Sequence, residues 1–98
     1  MPVYDPQKEG SHFSAFCSVQ SGAMPLYFQW SKNGHVIPQN DNNLQIASLD
    51  AQNSKLSISK VTANDSANYT CTVRNAFGTD SHTVTLIVKG LRIKCNYC

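Results

Sequence analysis

Apolar residues recur along this chain at every second position. Phe13, Ala15, Cys17 and Val19 alternate with His12, Ser14, Phe16 and Ser18. Leu26, Phe28 and Trp30 alternate with Tyr27, Gln29 and Ser31. The same holds for Leu56 and Ile58 among Lys55, Ser57 and Ser59, for Tyr69, Cys71 and Val73 among Asn68, Thr70, Thr72 and Arg74, and for Val84, Leu86 and Val88 among Thr83, Thr85 and Ile87. One face in and one face out is the pattern of half-buried antiparallel strands. Turn-forming residues separate the runs at Ser21-Gly22, Asn33-Gly34, 40–43, 50–54 and 78–80. Asn33-Gly34 is the strongest, because both residues tolerate the positive φ of a type I′ hairpin. No window has helical period, and Thr62 to Ser66 has room for one helical turn at most. Short strands with regular turns predict an all-β sandwich or barrel.

Two cysteines fall on inward positions of this pattern, with Trp30 between them. Asp65-Ser-Ala-Asn-Tyr69-Thr-Cys71 places a tyrosine two residues before the second cysteine, the spacing of a tyrosine corner. Two readings follow: a Cys17–Cys71 bridge across the sandwich, with Trp30 and Tyr69 in the core beside it, or two buried thiols packed on Trp30. A bridge would close a loop of about 55 residues and add about 4 kcal/mol on the loop-entropy estimate. That is a large share of a net stability of roughly 5–15 kcal/mol.

The residues carrying these features resemble an immunoglobulin domain of the intermediate (I) set over about residues 3–90. The expected fold is therefore an all-β immunoglobulin-like sandwich, with sheets A-B-E-D and C-F-G pinned by one disulfide. Met24-Pro-Leu-Tyr-Phe-Gln-Trp-Ser-Lys-Asn-Gly34, Ser54-Lys-Leu-Ser-Ile58, Asp65 to Cys71 and Arg74-Asn-Ala-Phe-Gly78 are similar to the arthropod Dscam adhesion-receptor family. The likeness is greatest to its variable seventh Ig domain and to the first domain of short chelicerate forms. Two departures stand out. Only 16 residues precede Cys17, so the first strand is short or clipped. The family's arginine near the start of strand D is absent, since the arginines here are Arg74 and Arg92. Asp65 must then find another partner, such as the backbone amides of its own turn.

Composition narrows the function classes. At 98 residues the chain is one domain, read as 1–90 followed by a tail over 91–98. Charged residues are 14 %, against about 25 % in an average globular domain, and neutral amides and hydroxyls fill the gap. No apolar run approaches the roughly 20 residues of a membrane span. The net charge of +2 is scattered, without the basic stripe of a nucleic-acid footprint. Met1-Pro2 opens on no charged and apolar leader, so any secretory signal is expected to have been removed or never to have existed.

No catalytic or cofactor chemistry is expected. His12, His35 and His82 share no metal-ligand spacing, and the six acids are dispersed. There is no nucleophile elbow and no phosphate loop. Cys95-Asn-Tyr-Cys98 has redox spacing but trails the last strand instead of opening a helix, and it reads as part of the tail. Asn64-Asp-Ser66 and Asn68-Tyr-Thr70 fit the N-glycosylation pattern.

A sandwich without catalytic groups works by contact. Alternation turns Ser14, Phe16, Ser57 and Lys55 outward; with Leu44 and Ile46 inward, Gln45, Ala47 and Leu49 also point out. Phe16 and Leu49, rimmed by Ser14, Ser57, Gln45 and Lys55, are expected to form an apolar centre with a polar rim. Coverage of Phe16 by the N-terminal strand is the alternative. The Dscam resemblance implies that two identical copies pair antiparallel and two-fold through the A-B-E-D face. It further implies an extracellular place, in a single-pass receptor ectodomain or its secreted form, beside other Ig domains. Neither nucleic acid nor membrane is an expected partner. A heterophilic recognition domain and a structural spacer in an I-set array remain as alternatives.

Overall fold

The computed structural model describes residues 7–38 and 44–89. The turn at 40–43, the tail at 91–98 with Cys95 and Cys98, and both ends of the 1–90 span lie outside the described residues. Strands run in the order β1 (Gln7–Lys8), β2 (Phe13–Ser18), β3 (Tyr27–Lys32), β4 (His35–Val36), β5 (Leu44–Asp50), β6 (Asn53–Ile58), β7 (Ala67–Asn75), β8 (Gly78–Leu86) and β9 (Val88–Lys89). A single 3-10 turn, Ala63–Asp65, falls inside the stretch with room for one.

Antiparallel pairing gives a three-stranded sheet, β2-β6-β5, and a four-stranded one, β4-β3-β7-β8. These are the expected B-E-D and C-F-G layers. Asn33 and Gly34 both take positive φ (50° and 86°) and turn β3 into the short β4 at the sheet's edge. The first described strand departs from the expected A-B-E-D order: β1 pairs parallel with β9. Gly10, at φ 88°, bends the chain from β1 toward β2. Its N–H donates to Val61 O at 2.7 Å, and Val61 N–H returns a bond to Ser11 O at 2.9 Å.

The alternation places one side of each strand in the core. Phe13, Ala15, Leu44, Leu56 and Ile58 come from one sheet, and Trp30, Tyr69, Cys71, Val84 and Leu86 from the other. Ile37 and Val61 plug the sandwich from outside the long strands. Cys17 on β2 and Cys71 on β7 are bridged, with Cα atoms 6.3 Å apart. Trp30 pairs in register with Cys71, and its Nε1–H donates to Ser54 Oγ on β6 at 2.9 Å. An unpaired buried donor would cost about 1–3 kcal/mol, so the buried Ser54 is a structural partner and not a stray polar group.

The tyrosine corner forms as expected: Tyr69 donates its hydroxyl proton to Asp65 O. Asp65 replaces its missing arginine with its own turn. The carboxylate accepts from Thr62 N–H at 2.8 Å and from Thr62 Oγ1 at 3.3 Å. These bonds hold the 3-10 turn closed at the start of β7.

Candidate recognition face

The outer face of β2-β6-β5 is a grid of cross-strand rows. Ser14 pairs with Ser57, and Ser57 with Gln45. Phe16 pairs with Lys55, and Lys55 with Ala47. Ser18 pairs with Asn53, and Asn53 with Asp50. All six residues expected to form the patch therefore lie on one sheet. Phe16 is 60 % exposed and Leu49 53 %, so no described segment covers either.

Their arrangement differs from a merged apolar centre. Strand β6 runs between β2 and β5, so two ladder spacings of about 4.8 Å separate Phe16 from Leu49. Lys55 stands between them, with its ammonium 5.6 Å from the centre of the Phe16 ring. A cation at that range is drawn to the ring by roughly 0.5–1 kcal/mol at an exposed site. Leu49 sits where the β5–β6 register shifts, between Ser48 and Asp50. The centre is thus a Phe16–Lys55–Ala47 row, with Leu49 a second apolar point beside the β5–β6 turn.

Hydrogen-bonded polar rows frame that centre. At one end His12 Nε2 and Ser14 Oγ lie 2.8 Å apart. At the other, Ser18 Oγ donates to Asn53 Oδ1, and Asn53 Nδ2 donates to Asp50 Oδ1 and Oδ2 at 2.8 and 3.0 Å. Gln52 N–H also donates to Asp50 Oδ1 at 2.8 Å. The Gln52 amide and then the Asn53 side chain hold the Asp50 carboxyl below its ordinary value of 3.8. Asp50 is thus an anion at neutral pH, and the face carries one fixed anion beside one cation. Sequence reading does not single out Asn53; the signal that finds it is the Asp50-x-x-Asn53 spacing of an Asx-type turn.

The opposite sheet face is of another kind. Its outward rows are Asn68–Thr85, Val36–Ser31–Thr70–Thr83 and Gln29–Thr72–Ser81, followed by Tyr27–Arg74–Thr79 with Arg74 5.5 Å from the Tyr27 ring centre. Both sequon asparagines, Asn64 and Asn68, are exposed. A crevice of about 590 Å³ opens at the pole of Gly22 and Phe77, lined in part by Arg74, Asp80 and His82. Among the described residues no group of three or more His, Cys, Asp or Glu could hold a metal ion.

Residues 6–88 match the immunoglobulin I-set domain family. Chicken cell adhesion molecule DSCAML1 is 37 % identical over 86 residues, which are 88 % of this chain and 4 % of that protein. The chain thus spans about one twenty-fifth of the length of the relatives of this kind that it matches. The solved Dscam1 Ig7 domain, isoform 5, superposes with a TM-score of 0.84 at 27 % identity, covering 87 % of this chain and 86 % of that one. The titin fragment I67–I69 gives 0.79 at 30 % identity, covering 89 % and 30 %. With the bridged cysteines, the core tryptophan, the tyrosine corner and the two-sheet topology in place, the chain belongs to the immunoglobulin I-set family.

Proposed function

We propose that this domain is a non-enzymatic, extracellular adhesion module, in which two identical copies pair antiparallel about a two-fold axis through the outer faces of β2-β6-β5. The carrying observation is the Phe16–Lys55–Ala47 row, with Phe16 exposed, on a strand face closed at both ends by hydrogen-bonded polar side chains. An apolar anchor inside a polar rim is the layout of an interface whose centre excludes water. Two-fold pairing requires self-complementarity, and neutral side chains with one cation and one anion meet that better than a face of like charge. Similarity to proteins named as cell adhesion molecules, and to the Dscam1 Ig7 domain, supports the same reading. In this reading the domain sits among other Ig domains, in a single-pass receptor ectodomain or its secreted form.

One sheet face supplies a contact near or below 1,200 Å², which makes the pairing weak, in the micromolar range. Many copies acting together on apposed surfaces turn weak contacts into adhesion. Sedimentation equilibrium across a concentration series tests this. A mass rising from one to two chains over the micromolar range is expected. A strict monomer to high micromolar would overturn it and leave a heterophilic module or a spacer.

A further inference from the structure

We infer that Asn68 carries an N-linked oligosaccharide and that this glycan screens the outer face of β4-β3-β7-β8, leaving β2-β6-β5 as the sheet face open to protein. The inference rests on the extracellular placement proposed above. Asn68 is exposed, on the outward side of β7, next in the chain to the buried Tyr69. Its Oδ1 accepts from Thr85 Oγ1 at 2.7 Å, so the side chain is held on the outer face by its oxygen, the atom that does not bear the sugar. Its backbone N–H donates to Asn33 Oδ1 at 2.9 Å, which anchors the attachment point to the β3–β4 turn.

The ground beneath it suits a sugar. The next two rows from Asn68 toward the sheet's centre present hydroxyls and amides on β3, β7 and β8, namely Ser31, Thr70, Thr83, Gln29, Thr72 and Ser81, with Val36 of β4 exposed at the edge beside Ser31. Such a surface stays hydrated and can bond to sugar hydroxyls, whereas a dry protein contact would have to desolvate every one of these groups. Bulky, solubilising glycans mark faces kept free of protein contact. The other sequon is a poorer acceptor: an acidic residue, Asp65, fills its middle position, and Asn64 lies on the 3-10 turn, outside these rows.

In the transfer, Nδ2 of Asn68 bonds to the anomeric carbon of a lipid-pyrophosphate-linked oligosaccharide. The carbon–oxygen bond to the pyrophosphate breaks, Nδ2 gives up one proton, and the lipid pyrophosphate leaves.

The test is to secrete the full chain from a glycosylating eukaryotic cell. The intact mass is then measured, and the peptides are mapped after enzymatic glycan release, which converts the bearing asparagine to aspartate. Aspartate at position 68 and asparagine at 64 is the expected result, with Asn68→Gln removing the added mass. An unmodified Asn68, or sugar at Asn64 alone, overturns the inference. For the screening role, the dimer constants of the glycosylated chain and of N68Q should agree within about twofold; about tenfold tighter pairing without sugar would show that the screened face is used and overturn it. If N68Q is not secreted, the enzymatically stripped chain replaces it. An unmodified Asn68 on a chain that still dimerises defeats only this inference, and a glycosylated strict monomer defeats only the pairing.

Discussion

Phe16→Lys should abolish dimers of this domain while leaving its fold intact. Phe16 is 60 % exposed, so replacing it removes little core burial, and surface changes of this kind usually alter stability by no more than about 0.5 kcal/mol. The substitution also sets a second ammonium beside Lys55, its cross-strand partner, where like charges oppose each other by up to about 1 kcal/mol. The effect on pairing is much larger. Loss of a central aromatic anchor costs at least about 2 kcal/mol, or roughly thirtyfold in affinity, and across a two-fold axis the new charge is met twice. Sedimentation should show a monomer at concentrations where the parent is mainly dimeric, with cooperative urea unfolding kept and its midpoint lowered by no more than about 1 M. A mutant that dimerises like the parent would shift attention to the Tyr27–Arg74 end of the opposite sheet.

The second large effect concerns the bridge. Replacing Cys17 by Ala and Cys71 by Val together should lower stability by about 4 kcal/mol, because the bonded residues are 54 apart and the unfolded chain regains that loop's freedom. With a urea slope of about 1–3 kcal/mol/M, the midpoint should fall by about 2 M. Part of the loss would come from Trp30, buried beside Cys71 with its donor fixed on Ser54. An unchanged midpoint would mean that packing alone holds the sheets together.

Much of this architecture is legible in the sequence because burial on one face imposes a period of two. Phe13, Leu56, Tyr69 and Leu86 all point inward as alternation predicts, and Asn33-Gly34 turns the chain where only positive φ fits. The Thr62 partner of the Asp65 carboxylate is legible for a local reason: a carboxylate three residues after a threonine can reach back to its amide. What alternation cannot reveal is which side chains become neighbours. It turns Phe16 and Leu49 to the same side, yet strand order decides that Lys55 lies between them, and strand order is set by long-range pairing. The β1–β9 pair escapes because two residues, Gln7 and Lys8, are too few to show a period. Ile37 and Val61 escape as core residues because they lie outside the regular strands and fill the open ends of the sandwich.

The most direct measurement is the amide NMR spectrum of the domain, followed on dilution from millimolar to low micromolar. Pairing through the proposed face predicts concentration-dependent shifts at Ser14, Phe16, Gln45, Leu49, Lys55 and Ser57, with Gln29, Thr70 and Thr72 on the opposite sheet unmoved. Shifts confined to that opposite sheet, or a spectrum identical at every concentration, would contradict it.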